Sequence, residues 1–237
     1  MKILSIDTSS KICSVSILED TDLIIEKHIE NELTHSQKLM PLVDEVLKAN
    51  NLELSDFDLF ACSVGPGSFT GVRIGVSTIK AFCDVTNIQI ASVSSLESLA
   101  YNTLDSNYKN DANLILSIID AKNDNVYYGL FERKNDVFTP IEELGAKNID
   151  EMIETLKKYH SSPILFVGDG AEKHQYHLLK HFSKATFVED RLNKQTSASV
   201  GKAGYYHYIN GNVGDSNFIT PLYLRKSQAE RALEGEK

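Results

Sequence analysis

The sequence has few of the features that announce a function. Its three cysteines, Cys13, Cys62 and Cys83, are odd in number and form no CxxC pair. That argues against a zinc ribbon and against a disulfide framework. Each lies in an apolar run, where a free thiol packs as a small hydrophobe. Long hydrophobic runs are missing as well, and no stretch reaches the length of a membrane span. The N-terminal run MKILSI is too short for a signal peptide and is closed by Asp7. A cytoplasmic chain with no membrane contact is expected. Positive charge is in deficit, with 24 Lys and Arg against 33 Asp and Glu and a net charge of −9. Such a surface repels phosphate backbones and disfavours tight, independent binding to nucleic acid. No G-x-S-x-G, H-E-x-x-H or G-x-x-x-x-G-K motif occurs, so none of these motifs marks a catalytic centre.

What is present is a duplicated order of elements. ILSIDTSSKICSVSILED near the N-terminus and ILSIIDAKNDNVYYGLFE from Ile115 each read as a hairpin whose first strand ends in an aspartate, Asp7 or Asp120. A helical pattern follows in each half, over Ser36–Ala49 with Leu39, Leu42, Val43 and Val46 on one stripe, and over Ile149–Tyr159. Next comes a strand running into glycines, Gly65-Pro66-Gly67 in one half and Gly168-Asp169-Gly170 in the other. A helix starts after each, at about Thr70 and about Ala171. Two similar α/β halves are expected, joined through the polar segment Asn102–Asn113. The boundaries that follow are residues 1–104 plus 218–237 for the first half and 105–217 for the second. Ser227 and Glu230 have capping-box spacing, which predicts a terminal helix.

Aspartates at strand ends beside hydroxyl-rich turns suit phosphate or magnesium handling. The candidate anion or nucleotide set is Asp7, Thr8, Ser9, Gly65, Gly67, Ser68, Asp120, Gly168, Asp169 and Gly170. The alternative is that each aspartate simply satisfies its own turn. Ser68 or Thr70 can cap the helix after the first glycine corner, and that helix shows two stripes. Val72, Val76, Ile79 and Cys83 form a core stripe; Gly71, Gly75 and Thr78 form a small-residue stripe beside it. Interior glycines weaken a helix by about 1 kcal/mol each, which suits a place where a neighbour approaches closely, in this chain or in a partner. His174, His177 and His181 share a helical face, yet Lys173 and Lys180 lie among them and no carboxylate follows at matching spacing. A solvated face, with no metal, is expected.

The segments IDTS, THSQ, GPGSFTGVRIG, VSSLESLA, IDAKNDNVYYG, GDG and PLYLR occur in this order from Ile6 to Arg225. Together they resemble the bacterial TsaB family (formerly YeaZ), tRNA threonylcarbamoyladenosine biosynthesis proteins once described as inactive glycoprotease-like (M22) homologues. The resemblance covers nearly the whole chain, and GPGSFTGVRIG carries most of its specificity. It implies a two-domain fold like actin, Hsp70 and sugar kinases, with a mixed sheet and flanking helices in each half. It further implies a non-catalytic subunit that pairs with the related catalytic subunit TsaD and with the ATPase TsaE, and that meets tRNA only through that complex. A homodimer forms in similar proteins when TsaD is absent. No intrinsic cofactor is implied, although ATP or ADP and magnesium belong to the complex. TsaD-like proteins hold their metal with a histidine pair four residues apart, and the counterparts here are His35 and Leu39. The family's pairing surface corresponds to the two helices of the first half, which makes Leu39, Leu42, Val43, Val46, Gly71, Arg73, Ile74, Gly75, Thr78 and Phe82 the expected partner interface. Lys122 stands where the family usually has arginine, which keeps charge and loses bidentate geometry. The competing reading is an ATP-dependent phosphotransferase of the same superfold, using Asp7 and Asp120.

Overall fold

The computed structural model describes residues 1–30, 35–108 and 112–226. The helix expected from Ser227 lies outside the described residues. In the first half, β1 (Lys2–Asp7), β2 (Ile12–Glu19) and β3 (Asp22–Glu30) form an antiparallel meander, followed by α1 (His35–Ala49), β4 (Leu59–Ser63), α2 (Phe69–Thr86), β5 (Ile90–Val93) and α3 (Ser95–Asn102). The sheet order is β3-β2-β1-β4-β5, with β4 parallel to both β1 and β5. The second half repeats the plan. Its strands are β6 (Leu114–Asp120), β7 (Asn125–Lys134), β8 (Val137–Pro140) and β9 (Gly145–Asn148), then α4 (Ile149–Thr155), β10 (Ile164–Val167), α5 (Asp169–Lys173), α6 (Gln175–Leu179), β11 (Ala185–Phe187) and α7 (Ser197–Ile209). The order β11-β10-β6-β7-β8 places β6 and β10 where the first sheet has β1 and β4. The duplication expected from the sequence is therefore the architecture.

Layering follows from which faces are apolar. Leu39, Leu42, Val43 and Val46 of α1, with Val72, Val76 and Ile79 of α2, cover the outer face of the first sheet. Ile149, Met152 and Leu178 cover the outer face of the second. Between the sheets lie α3 and α7. One continuous core joins Ile3, Leu18 and Leu59 of the first sheet to Ile115, Phe131 and Leu165 of the second through Leu96, Leu99, Val200 and Ala203. Tyr101 anchors this layer, its ring 4.6 Å from Phe138 and 5.6 Å from Tyr206.

The halves thus share a middle layer, and the boundary read from the sequence needs correction. Helix α7, inside the segment 105–217 assigned to the second half, packs on β1, β2, β4 and β5 of the first sheet. Glu26 on β3 fixes its start by accepting hydrogen bonds from Ser197 Oγ and the Ala198 N–H, both at 3.0 Å. The helix lacks a one-sided apolar stripe because it is covered on two sides, by the first sheet and by α3. Two further helices differ from expectation. The pattern over 149–159 yields α4 and then a separate tight turn at Lys157–Tyr159, and the helix after Gly170 starts at Asp169 and breaks at His174.

Candidate functional site

The hairpin turn after β1 is gripped by α2. Ser68 caps this helix by accepting the Gly71 N–H at 3.2 Å, and its own N–H donates to the Ser9 carbonyl at 2.7 Å. The Thr8 hydroxyl donates to the Gly71 carbonyl at 2.7 Å. A Cβ on Gly67 would strike the Ser9 carbonyl, one on Gly71 the Thr8 carbonyl, and one on Gly75 would lie 2.5 Å from Thr8 Oγ1. The close neighbour demanded by the small-residue stripe is therefore the chain's own Thr8–Ser9 turn. Only glycine lets the helix and the turn meet so closely.

Asp7 is sealed beneath that contact. It has no exposed surface, and its Oδ1 accepts both the N–H and the hydroxyl of Ser9 at 2.7 Å. Its Oδ2 is buried with no hydrogen-bond partner. Burial pushes the carboxyl up to about 6, against the opposing pull of the Ser9 hydrogen bonds. Ser9 in turn accepts a hydrogen bond from Gln195 Nε2 at 3.2 Å, which closes the lid over the aspartate.

Asp120 stands at the equivalent strand end and faces the cleft, its side chain 12% exposed. Burial works against its ionised form, but hydrogen bonds from Lys173 at 3.0 Å and from Lys122 outweigh it and hold the carboxyl below the usual range. Its backbone N–H donates to Asp169 Oδ1 at 2.9 Å. Burial raises Asp169. Gly168 reaches this corner with φ of +110° and donates its N–H to Asn193 Oδ1 at 2.8 Å, while Gly170 packs on Ile118.

A cleft of about 900 Å³ separates the two corners. The structure brings Ser9, Gly67, Ser68, Asp120 and Asp169 to its wall. Asp7, Thr8, Gly65, Gly168 and Gly170 stand behind that wall. Gly65 instead lies under the returning chain, 2.8 Å from the Leu222 carbonyl by its would-be Cβ. Wall residues outside the expected set include Lys11, His35, Lys122, Asn193, Gln195 and Arg225. Of these, His35, Lys122 and Arg225 sit in the segments THSQ, IDAKNDNVYYG and PLYLR, whereas Asn193 and Gln195 are brought in by the crossing chain 190–195. His35 is buried, its Nε2 2.8 Å from the Ser10 carbonyl.

These residues do not fit a magnesium nucleotide. One strand-end carboxylate is closed off and the other is neutralised by two lysines, so neither offers free oxygens to a hydrated cation. Among the described residues no group of three His, Cys, Asp or Glu side chains is arranged to hold a metal. His177 lies 2.7 Å from Asp150 Oδ1, and its ring is 5.3 Å from that of His181.

Seven of the ten residues expected at the partner interface are buried within the chain itself. Leu39, Leu42, Val43, Val46 and Phe82 belong to the first half's own core, and Gly71 and Gly75 face the Thr8 turn. The alternation that marked them as a stripe is the stripe that holds the helices to the sheet. Arg73 is exposed, and Ile74 and Thr78 are half-buried. The outward face of this helix pair also carries Met40 (49% exposed) and Val85 (80% exposed).

Comparison with known proteins follows the same lines. The family model described as tRNA N6-adenosine threonylcarbamoyltransferase (TsaD) matches residues 30–233. The chain is 31% identical over its full length to the tRNA threonylcarbamoyladenosine biosynthesis protein TsaB of Escherichia coli, all of which is covered. It is 30% identical, again over the whole of both chains, to the protein of that name from Bacillus subtilis. Among solved structures it is similar to YeaZ from Pseudomonas aeruginosa, with a TM-score of 0.74 and 20% identity over 94% of this chain and 99% of that one. A ROK hexokinase from Thermus thermophilus shares the fold at a TM-score of 0.56 and 9% identity, over 89% of this chain and all of that one. The architecture is that of the actin, Hsp70 and sugar-kinase superfold.

Proposed function

Because the chain belongs to the TsaD family, on its TsaB (YeaZ) branch, we propose that it serves tRNA threonylcarbamoyladenosine biosynthesis as a non-catalytic subunit, paired with a TsaD-like transferase and working with a TsaE-like ATPase. The observation that carries the non-catalytic part is the sealed end of β1, where Asp7 is closed off by Ser9 and Gln195. Any reaction at that strand end needs a carboxylate that substrate or cation can reach. Leu39 points the same way: the second position of the family's histidine pair is a core residue here. The continuous core through α3 and α7 adds a third reason, since it resists the lobe closure on which kinases of this superfold rely.

Pairing uses the outward face of α1 and α2, around Met40, Arg73, Ile74, Thr78 and Val85. Two large apolar side chains exposed beside half-buried Ile74 and Thr78 make a surface that gains by being covered. ATP or ADP and magnesium act in the assembled complex, and tRNA is met through it. The test is co-purification with a TsaD-like subunit, followed by nucleoside analysis of tRNA. Met40→Glu with Val85→Glu should abolish co-purification and modification, with the isolated chain's melting temperature unchanged. Retained pairing would refute the surface. The phosphotransferase reading requires ATP turnover by the purified chain alone with magnesium, and that same preparation decides it.

A further inference from the structure

The returning chain after α7 ties together three places that otherwise lie apart. Ile219 is fully buried in the core of the first half, and the Leu222 N–H donates to the Val64 carbonyl at 2.8 Å, just before the glycine corner. Tyr223 then lies flat on Phe69, with centroids 4.5 Å apart and planes 5° from parallel. Its hydroxyl accepts a hydrogen bond from Arg73 Nε at 2.7 Å, and the guanidinium sits 5.6 Å from its ring centroid. Two residues on, Arg225 crosses to the second half and donates to the Ala121 carbonyl at 3.2 Å.

The turn it reaches is held in an unfavourable shape. Lys122, Asn123 and Asp124 are consecutive non-glycine residues with φ of +67°, +52° and +56°. Asn and Asp adopt this region readily, whereas Lys122 holds it where surrounding contacts enforce it. Those contacts include the Asp120 carboxylate on the Lys122 N–H, the Asn125 side chain on the Lys122 and Asn123 carbonyls, the Ile149 N–H on the Asp124 carbonyl, and Arg225 on Ala121. Asp120 and Asn125 belong to the turn's own hairpin. Arg225 is the grip that arrives from the strap, and both Lys122 and Arg225 line the cleft.

We propose that Leu222–Arg225 is a latch through which the exposed face of α2 controls the Ala121–Asp124 turn in the cleft. Arg73 is the handle. A partner that brings a carboxylate to Arg73 draws the guanidinium away from Tyr223, because a charged, two-pronged acceptor outcompetes a neutral phenol. Tyr223 then loses its hydrogen bond and its cation–π contact together. The Arg225 grip, two residues further along the strap, loosens with it, and the turn relaxes. Binding on one face of the first half is thereby felt at the wall of the cleft. The coupling runs through this chain's own contacts and does not depend on which protein the partner is.

Hydrogen exchange on the full-length chain tests it, read at the hydrogen-bonded amides of Ala121, Lys122 and Asn125. Arg225→Ala should speed exchange there at least about threefold, as expected for a local opening, with the amides of β1 and β4 unchanged. Arg73→Ala and Tyr223→Ala should speed the same amides in the same direction. Arg73 is exposed, so its variant keeps the test decisive if the tyrosine variant misfolds and exchanges faster everywhere. The latch is overturned if Arg225→Ala leaves those amides unchanged. It is equally overturned as a coupling device if Arg225→Ala loosens the turn while Arg73→Ala does not.

Discussion

Asp7 and Asp120 end the first strands of equivalent hairpins, β1 and β6, and their surroundings are opposite. Asp7 is buried, raised by desolvation, and has one oxygen with no partner. Asp120 opens on the cleft and is lowered by two lysines. The difference lies in what packs on each turn. An 18-residue helix with glycines at 67, 71 and 75 around its start clamps the Asp7 turn from above. The corresponding helix of the second half is broken at His174 into two short pieces, and Lys173, the last residue of the first piece, reaches Asp120. A duplicated fold has kept the same aspartate in both halves while only one of the two reaches the cleft. In physical terms the first has become part of a joint, and the second part of a wall.

That contrast can be broken first at the joint. Gly71→Ala should be the most damaging single change, because its methyl group meets the Thr8 carbonyl, and backbone on both sides cannot yield cheaply. A loss of about 3 kcal/mol is expected for such overpacking, seen as a fall in melting temperature of roughly 6–12 °C for a chain of this size. A melting temperature within a degree of the parent would show that the helix and turn are not pressed together. Gly75→Leu, for the same reason, reports on folding and not on partner binding.

Asp7→Asn should act in the other direction. A carboxyl whose pKa rises from 3.8 to about 6 on folding contributes stability that is fully present below the unfolded value and is lost as pH rises through the folded one. Above that window the ionised form costs the fold of order 3 kcal/mol. Asparagine keeps an oxygen for the Ser9 donors but buries an unpaired N–H₂ group, so the net gain at pH 7.5 should be about 1–2 kcal/mol. Denaturation at pH 7.5 and again at pH 4.5 checks this. The variant should be the more stable at pH 7.5, and that advantage should vanish at pH 4.5.

How far the sequence reveals this contrast differs from element to element. The duplication is legible because each hairpin, strand and glycine corner leaves a local pattern of its own. The core stripe Val72, Val76, Ile79 and Cys83 is legible for the same reason, and all of these residues are buried. Helix α7 is not, since a helix covered on two sides loses the one-sided period that reveals a surface helix. Nor does the sequence show which way the glycine stripe faces, because close approach by the same chain and by another chain demand the same small residues. The stripe Leu39, Leu42, Val43 and Val46 has the matching ambiguity: an apolar face states that something covers it, and here the first sheet does. The cleft wall is the least legible part. Lys11, Asn193 and Gln195 meet only because the chain crosses between the halves, and no spacing in the sequence records that crossing.

The smallest effect belongs to Asp120. Its lysine partners lie at the surface, with Lys122 75% and Lys173 43% exposed, where ion pairs contribute less than about 1 kcal/mol. Because folding lowers this carboxyl, its contribution is present above the unfolded pKa and is lost as pH falls through the folded one, which is the reverse of Asp7. Asp120→Asn should therefore cost roughly 0.5 kcal/mol at pH 7.5 in low salt, and less in 0.5 M salt, where the lysine pairs are screened. The two variants measured side by side turn the comparison into a difference of sign: the buried aspartate destabilises at neutral pH and the open one stabilises. A loss at Asp120 as large as the one at Gly71, or one indifferent to salt, would mean that this aspartate too is a structural joint and that the cleft has no open carboxylate at either strand end.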